Sequence, residues 1–260
     1  MSAIPSGTSP RTLAVPRRAG RVLAVGAACA GLAAALAGCS EGDPDAGTNG
    51  VGKLPAAKIE SKARAAAAQA RTVRLSGSVV SQGRTYKLDM RLAGNGAKGR
   101  LTTKQSAFGL LRVDDALYLK ADAAFWAGEK NSSGSGSDAS AAEKLGGKYV
   151  KVPAADPVYK RFSGFTDKDV LLSSVLGLHG KLATGGRNTL DGVRTVRLTA
   201  GAGSGGTLDV SLEGTPYPLR LQRAGDAGTV TLADWDKAVD LKAPDKSQVV
   251  DYGKQISGKG

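Results

Sequence analysis

Val73-Arg74-Leu75-Ser76-Gly77-Ser78-Val79, then Tyr86-Lys87-Leu88-Asp89-Met90-Arg91-Leu92, then Gly94-Asn95-Gly96 are the stretches that decide the fold. Apolar or small residues hold every second position in both runs. That spacing turns one side of a strand to a core and the other to water. Gln82-Gly83-Arg84 turns the chain between the runs. Asn95-Gly96 is a strong hairpin signal, because both residues tolerate the positive φ of a tight turn.

The same rhythm continues on both sides. Gly99 to Thr103, Ala107 to Val113 and Leu117 to Ala121 read as short strands, with Asp114-Asp115 turning the last two, which makes a five-stranded antiparallel meander. Upstream, Pro55 opens an Ala-rich helix from Ala56 to Arg71. Downstream, Ala123 to Lys130 reads as a short helix carrying Phe125 and Trp126, and Asn131 to Ser140 as a Gly/Ser loop. Lys148 to Val152 is a strand ended by Pro153. Thr166 is expected to cap a helix from Asp167 to Leu176 whose apolar face holds Val170, Leu171, Ser174, Val175 and Leu178. Strands return at Arg187 to Leu190, Val193 to Thr199, Thr207 to Leu212, Pro218 to Arg223 and Thr229 to Leu232, with Val239 to Leu241 as a short addition. This order excludes all-helical and doubly wound folds. The expected class is α+β, mainly β: one large curved antiparallel sheet, a half-open barrel of about ten or eleven strands, with helices on one side.

The chain begins differently. Arg11, Arg17, Arg18 and Arg21 precede an apolar run from Val22 to Leu36, the arrangement of a secretory signal. That run is short of the roughly 20 residues a membrane span takes. It ends in Leu36-Ala37-Gly38-Cys39, which resembles the bacterial lipobox and implies a diacylated Cys39 as the first mature residue. Cys29 has Gly26 where a lipobox has a branched residue, and it leaves with the signal. Ala19-Gly20-Arg21 lacks the apolar residues that follow a twin-arginine pair, so export by the general secretory route is expected. The expected layout is a signal peptide over 1–38, an acylated cysteine with a flexible tether over 39–54, one domain over 55–252 and a disordered tail over 253–260. Losing four Arg and no acid lowers the net charge from +13 to +9. For an exported chain that charge points to the anionic surface of its own membrane and not to nucleic acid. Cys39 is the sole mature cysteine, which rules out an internal disulfide.

Motifs with chemical meaning are few. Gly201, Gly203 and Gly206 spell G-x-G-x-x-G, but between two strands and with no helix to aim at a pyrophosphate, so a hairpin loop is expected. His179 is the single histidine, read as a residue at a helix terminus. Without a mature thiol or a second imidazole, the usual zinc sites and Cys/His catalysis are not expected. Asp114, Asp115, Asp167, Asp169, Asp226, Asp234, Asp236 and Asp240 stand at turns and helix starts, where Asp satisfies backbone N–H groups. No catalytic residue, metal or cofactor is expected. The apolar strand faces are either an ordinary filled core or, since a long curved sheet with few helices underfills its concave side, the wall of a cavity.

Longer segments carry a resemblance. Leu111-Arg112-Val113-Asp114-Asp115-Ala116-Leu117-Tyr118-Leu119-Lys120-Ala121, Phe125-Trp126, Gly147-Lys148-Tyr149-Val150-Lys151-Val152-Pro153, Leu190-Asp191-Gly192-Val193-Arg194-Thr195-Val196-Arg197-Leu198, Pro216-Tyr217-Pro218-Leu219-Arg220-Leu221 and Asp234-Trp235 resemble the exported actinobacterial lipoproteins of the LppX/LprAFG group. That group is similar to the LolA/LolB lipoprotein carriers. The resemblance spans about Ala56 to Val250 and rests on strand and turn signatures; the Gly/Ser insert departs from it. It implies a half-open barrel capped by helices that holds lipid or glycolipid acyl chains, with no catalysis. The implied lining is Val79, Leu88, Met90, Leu110, Leu119, Phe125, Trp126, Phe162, Phe165, Leu172, Leu176 and Leu198. An envelope sensor that binds a protein partner through the same fold is the second reading, and a filled core would favour it. An enzyme is the third.

Overall fold

The computed structural model describes residues 43–81, 83–130 and 143–251. The signal segment, Cys39, the Asn131 to Ser140 loop and the tail over 253–260 lie outside the described residues. Twelve strands form one open sheet: β1 (Thr72–Ser81), β2 (Arg84–Ala93), β3 (Gly96–Thr102), β4 (Ala107–Val113), β5 (Ala116–Ala121), β6 (Tyr149–Val152), β7 (Leu182–Leu190), β8 (Val193–Ala200), β9 (Thr207–Ser211), β10 (Pro218–Gln222), β11 (Thr229–Ala233) and β12 (Val249–Asp251). Their order is β12-β6-β5-β4-β3-β2-β1-β11-β10-β9-β8-β7. Every pairing is antiparallel except that of β12 with β6. Two consecutive meanders therefore meet at one seam, β1 against β11, where Leu75 faces Leu232.

Alternation does what the sequence pattern requires. Val73, Leu75 and Val79 of β1 and Tyr86, Leu88, Met90 and Leu92 of β2 are buried in a single hydrophobic cluster, while Arg74, Asp89 and Arg91 stand on the other face. Gly77 holds φ near 137° opposite Val230, and a Cβ there would stand 2.1 Å from the Thr229 carbonyl oxygen. Glycine is thus required at this point of the seam.

Helix α1 (Ala56–Gln69) buries Ile59, Ala63 and Ala67 in the same cluster, and Ala66 beside them. The connection from β6 to β7 carries α3 (Pro157–Ser163) and α4 (Lys168–Val175) from the strand next to one edge of the sheet to the other edge, across the apolar face. Helix α2 (Ala123–Lys130) follows β5 and adds Phe125 and Trp126 to the core.

Five expectations need correction. The buried face of α4 is Leu171, Leu172 and Val175, while Val170 and Ser174 of the expected face are exposed, a rotation of the helix that its apolar spacing does not decide. Helix α3 is an addition: Pro157 takes its first position and Asp156 caps it, accepting the Val158 N–H at 2.8 Å. Asp167, not Thr166, caps α4, accepting the N–H groups of Asp169 and Val170; the Thr166 hydroxyl donates instead to the Ser163 carbonyl. Strand β7 begins at Leu182 and is broken by a register shift between Thr184 and Arg187. It is a largely exposed edge strand, so it has no apolar alternation to read. Val239 to Leu241 is not a strand; the final strand lies further on, at β12.

The tether also ends sooner than its composition suggests. Asp45 is buried and accepts from Arg187 Nε at 3.0 Å, and Val51 and Gly52 are buried. The Asn49 N–H donates to the Leu212 carbonyl at 2.8 Å, and Arg194 donates to the carbonyls of Ala46 and Gly47. Asp43 pairs with Lys53, which holds its carboxyl below the usual range. Short polar residues with little to bury are thus fixed by hydrogen bonds, which hydropathy does not register.

A candidate ligand pocket under a helical lid

Tyr86 opens β2 and Phe108 opens β4, each on the apolar face. Period-two spacing from Leu88 and from Leu110 leads to both, although neither was among the expected lining residues. Phe125 of α2 and Phe162 of α3 meet Phe108 at ring-centroid distances of 5.1 and 4.8 Å. Trp126 stands edge-on to Phe125 at 5.2 Å, and Phe165 lies 5.3 Å from Tyr86. All four separations suit edge-on or tilted aromatic contact. The Trp126 indole N–H is buried without a hydrogen-bond partner among the described residues.

Above these rings a pocket of about 570 Å³ opens to the surface, within the usual range for ligand sites. Tyr86, Phe108, Phe125 and Phe162 form its apolar floor. Its rim is Gly83 to Thr85, the turn from Thr103 to Ser106, Ala124 and Arg161. The turn is held by the Thr103 hydroxyl, which accepts the N–H groups of Gln105 and Ser106 at 3.2 and 3.1 Å. The Arg161 guanidinium lies 4.9 Å over the Phe162 ring. Among the described residues, three cations, Arg84, Lys104 and Arg161, and no carboxylate line the pocket.

The twelve expected lining residues all join one cluster. Val79, Leu88, Met90, Leu110, Leu119, Phe125, Trp126, Phe162, Leu172, Leu176 and Leu198 are buried, and Phe165 is half-buried against them. They do not share one open hollow. Phe125 and Phe162 reach the pocket just described, whereas Leu172 and Leu176 line a second one of about 290 Å³ between α1 and α4. A third lies on the opposite face of the sheet, among Lys98, Arg100, Leu111, Lys120, Tyr149, Asp240 and Lys242, with the strand at Leu110 behind it.

Three basic side chains fasten the lid. Arg112 of β4 donates through Nε and Nη2 to the Thr166 carbonyl, at the joint between α3 and α4. Arg64 of α1 donates to the Leu176 carbonyl at the end of α4 (2.8 Å), and Lys168 of α4 donates to the Ala68 carbonyl near the end of α1 (3.2 Å). Each helix thus supplies the cation that satisfies the other's terminal carbonyls. His179 lies apart from these groups, exposed, with its backbone N–H on the Gly205 carbonyl. Gly201, Gly203 and Gly206 lie in the loop between β8 and β9.

No known family description and no curated protein matches the chain. Solved structures do. The chain is similar to LprF from Mycobacterium bovis, at 19% identity and a TM-score of 0.48, over 73% of this chain and 96% of that one. It is similar to the lipoprotein LppX from Mycobacterium tuberculosis, at 16% identity and a TM-score of 0.41, over 71% and 96%. It is also similar to an uncharacterized conserved protein from Thermus thermophilus, at 11% identity and a TM-score of 0.35, over 75% and 98%.

Proposed function

We propose that this protein binds and carries the acyl chains of a membrane lipid or glycolipid, without catalysis, while tethered to the extracytoplasmic face of the cell membrane by a diacylated Cys39. The observation that carries the reading is the surface pocket floored by Tyr86, Phe108, Phe125 and Phe162, which borders an apolar core covered by helices. Burying acyl methylenes at about 0.8 kcal/mol each gives affinity without specific polar contacts. Because the core beneath the pocket is filled, a long chain enters only as α3 and α4 shift from the sheet. The clasp formed by Arg64, Arg112 and Lys168 consists of a few polar contacts and no continuous strand pairing, so this joint opens at less cost than the seam of the sheet.

The filled core also favours a second reading, an envelope sensor that binds a protein partner. Native mass spectrometry of the protein purified from its own host separates the two. A carrier retains a bound species of lipid mass that organic solvent removes. A protein that is free of lipid after gentle extraction, and that binds no added acyl chain, overturns the carrier reading in favour of the sensor.

A further inference from the structure

We propose that the rim of the pocket is a headgroup site for an anionic, phosphate- or carboxylate-bearing amphiphile. The inference rests on the carrier reading and narrows its ligand class. Arg84, Lys104 and Arg161 come from β2, the β3–β4 turn and α3, three separate elements converging on one opening. The same opening holds the hydroxyls of Thr85, Thr103 and Ser106 and the Gln105 amide, all able to donate, and no Asp or Glu among the described residues.

Several cations elsewhere on this surface are paired. Arg74 pairs with Asp89, Arg91 with Asp234, Arg194 with Glu213, and Arg197 and Arg220 with Asp209. Arg84 and Lys104 have no carboxylate partner among the described residues, and both are exposed. A rim of like charges above an aromatic floor repels cations and leaves a neutral headgroup with nothing to compensate. An anionic head receives charge-assisted hydrogen bonds while its tail enters among the rings. The rigid Thr103–Ser106 turn fixes the Lys104 backbone, so little order has to be gained on binding.

The test uses the full chain exported with Cys39→Ser, so that no anchor acyl group competes for the pocket. Its probes are three pyrene-labelled dodecyl chains bearing a phosphate, a hydroxyl or an amine, titrated at low salt. The phosphate probe is expected to bind about tenfold more tightly than the hydroxyl probe, since charge-assisted hydrogen bonds are roughly twice as strong as neutral ones. That preference should fall in 0.5 M salt and shrink towards unity in Arg84→Gln/Lys104→Gln, with affinity for the hydroxyl probe unchanged. Both side chains are exposed and unpaired, so the variant folds normally. Equal binding of all three probes by the wild type overturns the headgroup assignment and leaves the carrier reading standing. Binding of none overturns both. Millimolar inorganic phosphate that binds alone, and displaces nothing when a tail is present, makes the site a free-anion site and overturns the lipid assignment.

Discussion

Asp209 is 1% exposed, and it lies on the strand face that points away from Leu208 and Val210. One carboxylate oxygen accepts from Arg197 Nε of β8 at 2.8 Å and the other from Arg220 Nε of β10 at 3.0 Å. The Asp209 carboxylate also holds the Arg197 guanidinium above its ordinary pKa. Three strands are thereby joined at the level of their side chains. Asp209→Ala leaves two guanidiniums facing each other without a counter-charge. It should cost about 2–3 kcal/mol in chemical denaturation, below the ~3–5 kcal/mol of a wholly buried pair because both arginines reach water. A loss under 0.5 kcal/mol would mean that solvent replaces the carboxylate without penalty. Asp209 and Asp45 were not singled out in the sequence, whereas the turn aspartates were. Asp114, Asp226, Asp234 and Asp236 all adopt positive φ, a local property written into neighbouring Gly and Asp residues. Burial of Asp209 depends on cross-strand neighbours 11 and 12 residues away, which no local pattern encodes.

Elements with a strong period were legible: β1 to β5 and β8 to β11 lie within a residue or three of their expected bounds, because each buries one face. The edge strand β7, the three-residue β12 and the seven-residue α3 were not, since exposure or brevity erases the period. The lid belongs to this harder class, and its attachments are polar. Lys168 is nearly enclosed, its side chain 6% exposed, with its ammonium on the Ala68 carbonyl and the Asp169 carboxylate. Lys168→Ala strips the Ala68 carbonyl of this donor, and Arg64→Ala does the same to the Leu176 carbonyl at the end of α4. Each should lower stability by about 1–2 kcal/mol, as expected for hydrogen bonds from charged groups. If α3 and α4 form the gate, both variants should also release a bound pyrene chain faster in stopped flow than wild type does, at equal temperature. Faster unfolding with unchanged release would place the entry path elsewhere.

At the scale of the molecule, the pocket and the point where the chain enters the fold lie at opposite ends of the strands. The Asp43 to Lys53 segment lies where β8 begins and β9 ends, against Arg194 and Leu212. Followed through the register, that end carries Pro218, Thr72, Ala93 and Gly96. Arg84 and the Thr103–Ser106 turn lie at the other end, beyond the ten residues of β2, about 33 Å at the usual rise of a strand. Only Ser40, Glu41 and Gly42 separate Cys39 from Asp43, a reach of at most roughly 14 Å. Cys39 acylation would therefore hold the β9–β10 turn near the bilayer and direct the pocket away from it, so that the carrier meets its donor or acceptor beyond its own membrane surface. If Cys39 is acylated as proposed, no free thiol remains in the mature chain, and a single new cysteine can be labelled cleanly. A fluorophore at Thr215→Cys, in the β9–β10 turn, should be quenched strongly by headgroup-labelled lipid in proteoliposomes, and one at Lys104→Cys weakly. The Cys39→Ser chain should leave the membrane in a high-salt wash and lose both signals. Equal quenching at Thr215 and Lys104 would show the molecule lying along the bilayer with its pocket at the interface, where lipid enters directly from the anchoring membrane.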